Sequence, residues 1–192
     1  MSAAIIHRCL LELTGSCSLT DTELLTQYTT SKDHEALIAR PKEIQDSSIP
    51  SGNAMAAMGL LRLAALTGSA DFRRVAESTL TAAHAVMEQS PISCAQSLLA
   101  LDFLIGPSQE FAVVGTPDED ETRRVLRAIR RGFRPYSVLA FRNAIGDDGG
   151  IALLRGRPRK GGVTTYICQN FVCQEPLVGA EAVEKALSLP ST

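Results

Sequence analysis

The chain has 192 residues, a length typical of one domain with or without an appendage. Hydrophobic residues make up 45% of it, too many for a disordered chain, yet no run approaches the ~18 apolar residues of a membrane span. The net charge of −2 excludes a globally basic nucleic-acid-binding protein.

The distribution of charge and the number of cysteines indicate a domain boundary and a cellular compartment. Residues 1–115 carry 7 basic and 12 acidic side chains, whereas residues 116–192 carry 12 basic and 9 acidic ones, so we predict a boundary near Gly115. The five cysteines are an odd, sparse set, which argues against a disulfide scaffold and favours a reducing compartment. The N-terminal apolar run at residues 3–6 is too short for a signal peptide. We therefore expect a cytoplasmic protein.

The part of the chain before residue 110 is predicted to be helical. Residues 20–23 form a capping-box pattern before a short helix that ends near residue 29. Residues 53–66 are apolar almost all round, with Arg62 as their only charge, which is typical of a helix buried on every side. Residues 71–89 have the three–four apolar spacing of an amphipathic helix. A third helix begins at Ser90-Pro91 and runs to about residue 104.

The part after residue 109 alternates between strands and helices. Residues 110–115 predict a buried strand, and residues 116–119 a capping box for a helix that ends near residue 131. Residues 137–141 predict a second strand parallel to the first, because a helical crossover joins them. Residues 163–172 predict a third strand, and a helix at residues 179–187 follows it. Together these elements indicate an α+β fold with a short, mostly parallel sheet.

The segment at residues 50–53 lies at the mouth of the first buried helix. Ser51, Asn53 and free backbone N–H groups can bind a ligand at the positive end of that helix. The simpler interpretation, which the spacing favours, is that Ser51 or Asn53 only caps the helix.

The segment at residues 40–48 places Arg40, Glu43 and Asp46 close together. Paired carboxylates can perform acid–base chemistry when their environments separate their pKa values. An exposed charged loop is the alternative, and the residues alone favour it.

Cys168 and Cys173 form a C-x4-C pattern within the third predicted strand. In a regular strand they point to opposite faces and lie roughly 16 Å apart, beyond the ~7 Å between Cα atoms that a disulfide allows. Neither a disulfide nor a shared metal is therefore expected unless the chain turns at Gln169-Asn170. No C-x-x-C pattern occurs, and the three histidines show no metal-ligand spacing, so no metal site is predicted.

Two further charged features have a functional and a simpler interpretation. Asp102 lies in an apolar helix, where it needs a partner or a wet cavity unless it faces solvent at the helix end. The arginines of residues 123–131 and the basic loop at residues 155–160 could bind nucleic acid, but aromatic side chains for base stacking are scarce nearby. The favoured interpretation is that residues 123–131 form a solvated helix face and that residues 155–160 form a basic hairpin tip. No nucleic-acid partner is therefore expected.

Several motifs together resemble one family. They are DHEALIARPKEIQDSSIPSGN at residues 33–53, LLRLA at 60–64, LIGP at 104–107, VVG at 113–115 and C-x4-C-Q at 168–174. This pattern resembles the thioredoxin-domain-containing proteins related to spermatogenesis-associated protein 20 over about residues 30–190. Residues 1–29 do not match, and Ala54 replaces the serine that usually follows PSGN.

The resemblance implies an N-terminal thioredoxin-like domain, an (α/α) toroid similar to six-hairpin glycosidases and N-acylglucosamine 2-epimerases, and a small α/β segment. On that basis we divide this chain into a divergent N-terminal segment at residues 1–29, partial toroid hairpins at residues 30–108 and the α/β segment at residues 109–192. The resemblance thus implies that these 192 residues hold only the last toroid hairpins and the α/β segment, without the thioredoxin-like domain and most of the toroid.

Two functional hypotheses follow from the resemblance. In the first, the chain is a fragment of a carbohydrate-metabolising toroid that binds or isomerises a sugar-like ligand, with Glu43 and Asp46 as catalytic carboxylates and Arg40, Ser51 and Asn53 as ligand-binding residues. In the second, it is a non-catalytic interaction module or split-gene remnant that assembles with the missing parts or with itself. Neither hypothesis involves a cofactor, a metal or a membrane. Without its ring neighbours, the helix at residues 53–66 is expected to expose apolar surface.

Overall fold

Three helices form the first half of the region that the computed structural model describes, residues 43–188. They are α1 (Gly52–Thr67), α2 (Ala70–Gln89) and α3 (Ala95–Ile105), and a 3-10 turn at Pro91–Cys94 leads into α3. The three helices predicted between residues 53 and 104 are confirmed. The helix predicted before residue 29, the divergent N-terminal segment and Arg40 lie outside the described residues.

The ends of α1 follow from its flanking residues. The hydroxyl of Ser51 accepts a hydrogen bond of 3.2 Å from the backbone N–H of Ala54, so Ser51 is the N-cap. At the other end Gly68 has a φ of +71°, a left-handed conformation that glycine adopts without a steric penalty, and its N–H donates to the carbonyl of Ala64. The capping interpretation of Ser51 is therefore confirmed.

The second half contains a five-stranded mixed sheet and two helices. Its elements are β1 (Gln109–Gly115), α4 (Asp120–Arg131), β2 (Ser137–Asn143), β3 (Thr164–Gln169), β4 (Val172–Cys173), β5 (Leu177–Val178) and α5 (Ala180–Ser188). α4 begins three residues later than the capping-box pattern indicates, and its N-cap position is Glu119, whose side chain makes no capping hydrogen bond. The α+β class is confirmed.

The prediction of a mostly parallel sheet is wrong. The strand order is β2-β1-β3-β4, with β5 also paired to β3, and only the β1–β2 pair is parallel. The pairs β1–β3, β3–β4 and β3–β5 are antiparallel. β1 and β2 are joined by α4, the helical crossover that parallel strands require, whereas the chain between β2 and β3 has only a 3-10 turn at Ala152–Leu154.

The sheet is buried on both faces. Ala112 of β1 and Ala140 of β2 pack in one hydrophobic cluster with α1, α2 and α3, which contribute Leu61, Leu80 and Phe103. On the other face, the second cluster joins the sheet to α4 and α5 through Phe111, Val113, Val125, Ile129 and Val183. The continuous apolar run in β1 therefore follows from its position between two helical layers.

Arg62 connects α1 directly to the sheet. Its guanidinium donates to the carbonyl of Ser137 at 3.1 Å and to that of Pro135 at 3.3 Å, and it lies 5.0 Å from the ring centre of Phe103. The one charge in this helix thus binds backbone carbonyls at the start of β2 and contacts an aromatic ring. Within residues 43–188, no helix combines the length and the apolar character that crossing a membrane requires.

Candidate functional site

Asp46 is held by two backbone N–H groups. Its Oδ1 accepts from the N–H of Ser51 at 2.8 Å, and its Oδ2 accepts from the N–H of Gln96 in the first turn of α3, also at 2.8 Å. A backbone hydrogen bond from Asp46 to the carbonyl of Ser93 adds a third link. Both carboxylate oxygens of this predicted catalytic residue therefore join the segment before α1 to the positive end of α3.

Among the predicted site residues that the structure describes, none makes a side-chain hydrogen bond to the Asp46 carboxylate. Glu43 is exposed, and its backbone carbonyl accepts a 3.0 Å hydrogen bond from the side-chain amide of Asn53. Ser51 is buried as the N-cap of α1. Glu43, Ser51 and Asn53 thus lie together at the N-terminus of α1, where the side chains of Ser51 and Asn53 bind backbone atoms.

A cavity of ≈ 300 Å³ lies beside this segment, between the start of α1, α2 and α3. Its polar lining comes from Asn53, Ser78, Thr79 and Ser97, and the rest is apolar. Among the predicted site residues that the structure describes, Asn53 lines it. The lining residues within 43–188 are neutral, so this part of the cavity can bind a small neutral molecule by hydrogen bonds.

The β3–β4 hairpin of the described region brings two cysteines close to a buried arginine and a buried glutamate. Cys168 and Cys173 face each other across the two strands, with Cα atoms 3.9 Å apart, and form a disulfide. The chain turns through Asn170 and Phe171, whose φ angles are +49° and +63°. The single strand predicted for residues 163–172 is therefore wrong, and the conditional alternative of a turn between the two cysteines is what the fold adopts.

Arg157 lies under this disulfide. It is 8% exposed, and its Nη2 approaches Cys173 Sγ at 2.9 Å and Cys168 Sγ at 3.4 Å, while Nε lies 3.3 Å from Cys173 Sγ. Nη1 donates to the backbone carbonyls of Ala152 and Leu153. Burial lowers the pKa of Arg157, and the charge of Glu110 acts in the opposite direction. The solvated-tip interpretation of residues 155–160 is thus wrong for Arg157.

Glu110 completes this cluster from β1. Its side chain is 2% exposed, and its Oε2 accepts the N–H of Phe171 at the hairpin turn at 2.8 Å. Burial raises the pKa of Glu110, while the hydrogen bond from Phe171 and the charge of Arg157 lower it to a smaller extent. A carboxyl group, a guanidinium and two sulfur atoms therefore share one largely buried region at one end of β3.

Two other charged features have simpler roles. Asp102 is exposed and accepts a 2.8 Å hydrogen bond from the hydroxyl of Tyr136, and this bond raises the pKa of Tyr136. The arginines of α4 are exposed, and Arg124 pairs with Glu184 of α5 at 2.7 Å. Their exposure agrees with the solvated-face interpretation of this helix, and they line a groove of ≈ 870 Å³ beside α5.

Sequence reasoning missed Glu110 and Arg157. The available signal for Glu110 was a carboxylate at the start of a continuous apolar strand, where an ionised group needs a partner. Arg157 stands among three other basic residues of one loop, so no pattern distinguishes it from Arg155 or Arg159. In the part of the chain that the structure describes, no group of three or more His, Cys, Asp or Glu side chains is placed to hold a metal ion.

Comparison with known proteins supports the family resemblance. The chain is 28% identical to spermatogenesis-associated protein 20 of Rattus norvegicus over 154 residues, 26% identical to that of Homo sapiens over 154 residues, and 27% identical to that of Mus musculus over 157 residues. Each match covers 77% of this chain and 19% of the relative, so the chain spans about a fifth of the length of these curated relatives. No family model and no solved structure matches the chain. At this level of identity, the chain is similar to one part of spermatogenesis-associated protein 20.

Proposed function

We propose that the described region is a non-catalytic docking module. Its binding partner would be helical hairpins like those that the family resemblance implies for the rest of the longer relatives. The observation that supports this proposal is an exposed apolar face on α1. Met55 is 52% exposed and Leu63 is 38% exposed, and Ala56 and Gly59 lie between them on the same side of the helix.

The composition of this face favours a helix as its partner. It carries no charged side chain, and nothing lies within 4 Å of the position that a Cβ atom on Gly59 would occupy. A small residue between two larger apolar ones leaves a groove that can receive the ridge of a second helix. α3 has exposed apolar side chains of its own, Leu99 and Ile105. Burying such surface against a partner would stabilise the assembly by the hydrophobic effect.

The arrangement around Asp46 argues against the catalytic alternative. An acid–base pair needs two ionisable groups directed at one substrate, but Asp46 uses both oxygens on backbone N–H groups and Glu43 is exposed. Binding of a sugar-like molecule retains one supporting observation, the ≈ 300 Å³ cavity lined by Asn53 and Ser97. A thermal shift with N-acyl sugars or their phosphates, lost in Asn53→Ala, would favour it over docking alone.

The docking proposal is tested by co-expression of this chain with a segment from the same genome that is similar to the rest of the relatives. We expect a stoichiometric complex by size-exclusion chromatography with light scattering. The double variant Met55→Lys/Leu63→Lys should abolish that complex. Phe133→Lys is the matched control, because Phe133 is equally apolar and highly exposed but lies between α4 and β2.

Two results of this experiment would contradict the docking proposal, and a third would change the partner. A clean monomer at micromolar concentration that forms no complex would contradict the proposal. A complex that survives the double variant would place the contact elsewhere and also contradict it. A dimer of this chain that the double variant dissociates would replace the helical partner with a second copy.

A further inference from the structure

We propose that Cys168, Cys173 and Arg157 form a thiol–disulfide exchange site that accepts electrons from a dithiol, either a small molecule or a protein. The inference is independent of the docking proposal. It rests on the geometry of the β3–β4 hairpin, on the unequal exposure of the two cysteine residues and on the buried guanidinium that contacts both sulfur atoms.

The hairpin keeps the two cysteines together by strand pairing. Cys168 lies opposite Cys173, and Gln169 lies opposite Val172 in the antiparallel register. Glu110 fixes the turn by accepting the N–H of Phe171. These contacts do not involve the sulfur atoms, so the two thiols stay close after reduction and the disulfide can form again. A pair that returns to the same geometry is suited to repeated exchange.

The two cysteine residues differ in exposure. Cys168 is 2% exposed, whereas Cys173 is partly exposed at the short outer strand β4. An incoming thiolate therefore reaches Cys173 Sγ first. Attack at Cys173 makes Cys168 the leaving group, and Cys168 Sγ lies 3.4 Å from Nη2 of Arg157. The charge that develops on the departing sulfur thus appears beside a guanidinium.

Arg157 is fixed beside the sulfur atoms and makes no direct ion pair. Its Nη1 is held by the carbonyls of Ala152 and Leu153, and within residues 43–188 no carboxylate lies in salt-bridge contact with it. The charge of Glu110 acts on Arg157 without direct contact, and burial still lowers the pKa of the guanidinium. Reduction would supply a thiolate beside it, so the site favours the reduced pair more than a neutral environment would.

The exchange balances as a two-electron step. The thiolate of the dithiol attacks Cys173 Sγ, the Cys168–Cys173 bond breaks, and its electron pair stays on Cys168 Sγ. The second thiol of the reductant, as its thiolate, then attacks the reductant's own sulfur in the mixed disulfide and releases Cys173. The protein disulfide is reduced to two thiols, the dithiol is oxidised to a disulfide, and the two protons of the dithiol pass to the solvent or to the released sulfurs.

A purely structural disulfide is the competing explanation. The two cysteines are only five residues apart, and a disulfide that closes so short a loop restricts the unfolded chain least. The guanidinium of Arg157 contacts both sulfurs in addition to the carbonyls of Ala152 and Leu153, so it can stabilise a thiolate when the bond opens. These points favour exchange over stabilisation as the role of the pair.

The test uses the full native chain in buffers of reduced and oxidised dithiothreitol, with free thiols trapped by a maleimide and located by peptide mass spectrometry. We expect Cys168 and Cys173 to interconvert reversibly as one pair without denaturant. In Cys168→Ser, Cys173 should form a mixed disulfide with oxidised glutathione about tenfold faster than Cys168 does in Cys173→Ser. Buried Cys94 serves as the unreactive internal reference.

Arg157→Gln should slow exchange several-fold and remove the ultraviolet thiolate absorbance of the reduced pair at neutral pH, and Arg157→Lys should restore part of both. The urea midpoint of each oxidised variant shows whether it is folded. Reduction that requires denaturant, a Cys168 that reacts as fast as Cys173, or a folded Arg157→Gln protein with wild-type exchange would each overturn the proposal.

Discussion

Removal of the Asp46 carboxylate tests whether this residue is structural or catalytic. In Asp46→Ala the N–H groups of Ser51 and Gln96 lose acceptors that lie 2.8 Å away. A hydrogen bond to a charged group contributes ~1.5–3 kcal/mol when buried, and Asp46 is half-buried, so we take about 1 kcal/mol for each bond. The expected loss is about 2 kcal/mol of unfolding free energy, or ~4–8 °C in Tm for a protein of this size.

Urea unfolding followed by circular dichroism measures this loss directly. Asp46→Asn keeps one carbonyl acceptor and should lose about 1 kcal/mol. Glu43→Ala is the matched control, because Glu43 is exposed and its side chain makes no hydrogen bond to a described residue, so we expect a change within ~0.5 kcal/mol. The reasoning is refuted if Asp46→Ala is as stable as the wild type, or if Glu43→Ala is equally destabilised.

Three further outcomes are expected from the same urea assay. Burial raises the pKa of Glu110 above its ordinary value of 4.5, so above about pH 4.5 the folded chain binds more protons than the unfolded chain. The free energy of unfolding therefore declines as the pH rises from there. Glu110→Gln should make this decline shallower, and an unchanged slope would contradict the expectation. Arg62→Met removes two hydrogen bonds and the contact with an aromatic ring, so we expect a loss of about 1–2 kcal/mol, and no loss would contradict this role. In Gly115→Ala the new Cβ lies 2.6 Å from the Thr122 hydroxyl, so we expect the free energy of unfolding to fall by ~1–3 kcal/mol. In Gly59→Ala the new Cβ meets nothing within 4 Å, so we expect the helix to be stabilised by ~0.5–1 kcal/mol. Equal effects of the two variants would contradict the difference in packing at these glycines.

The helical half was predictable because its signals are local. The apolar spacing of α2, the N-cap Ser51 and the glycine after α1 each act within one or two turns of helix. The apolar pattern of α1 alone predicts burial on every side, whereas Met55 and Leu63 are exposed; the exposed face agrees with the expectation drawn from the family resemblance. The bounds of α1 and α2 agree with the predicted ranges to within one residue, whereas the predicted start of the third helix is a 3-10 turn at Pro91–Cys94.

The sheet and the cysteine pair depend on contacts between distant residues. Whether β3 runs parallel or antiparallel to β1 depends on the path from residue 144 to residue 163, which has no periodic pattern. The cysteine pair depends on Asn170 and Phe171 adopting positive φ, which is uncommon for residues other than glycine. The sequence predicts Asp46 as a catalytic carboxylate, but the backbone N–H of Gln96 that it accepts lies fifty residues further along the chain, so no local pattern indicates this contact.

The cluster that joins α1, α2 and α3 to the sheet has a consequence during translation. Leu61 and Leu80 emerge from the ribosome first, but part of the surface that covers them comes from Leu153, Leu154 and Tyr166, which are synthesised much later. Until β3 has been made, the three helices have no complete core to fold against, and their apolar sides are available to chaperones. We therefore expect nascent chains stalled before β3 to be more sensitive to proteases than the released protein.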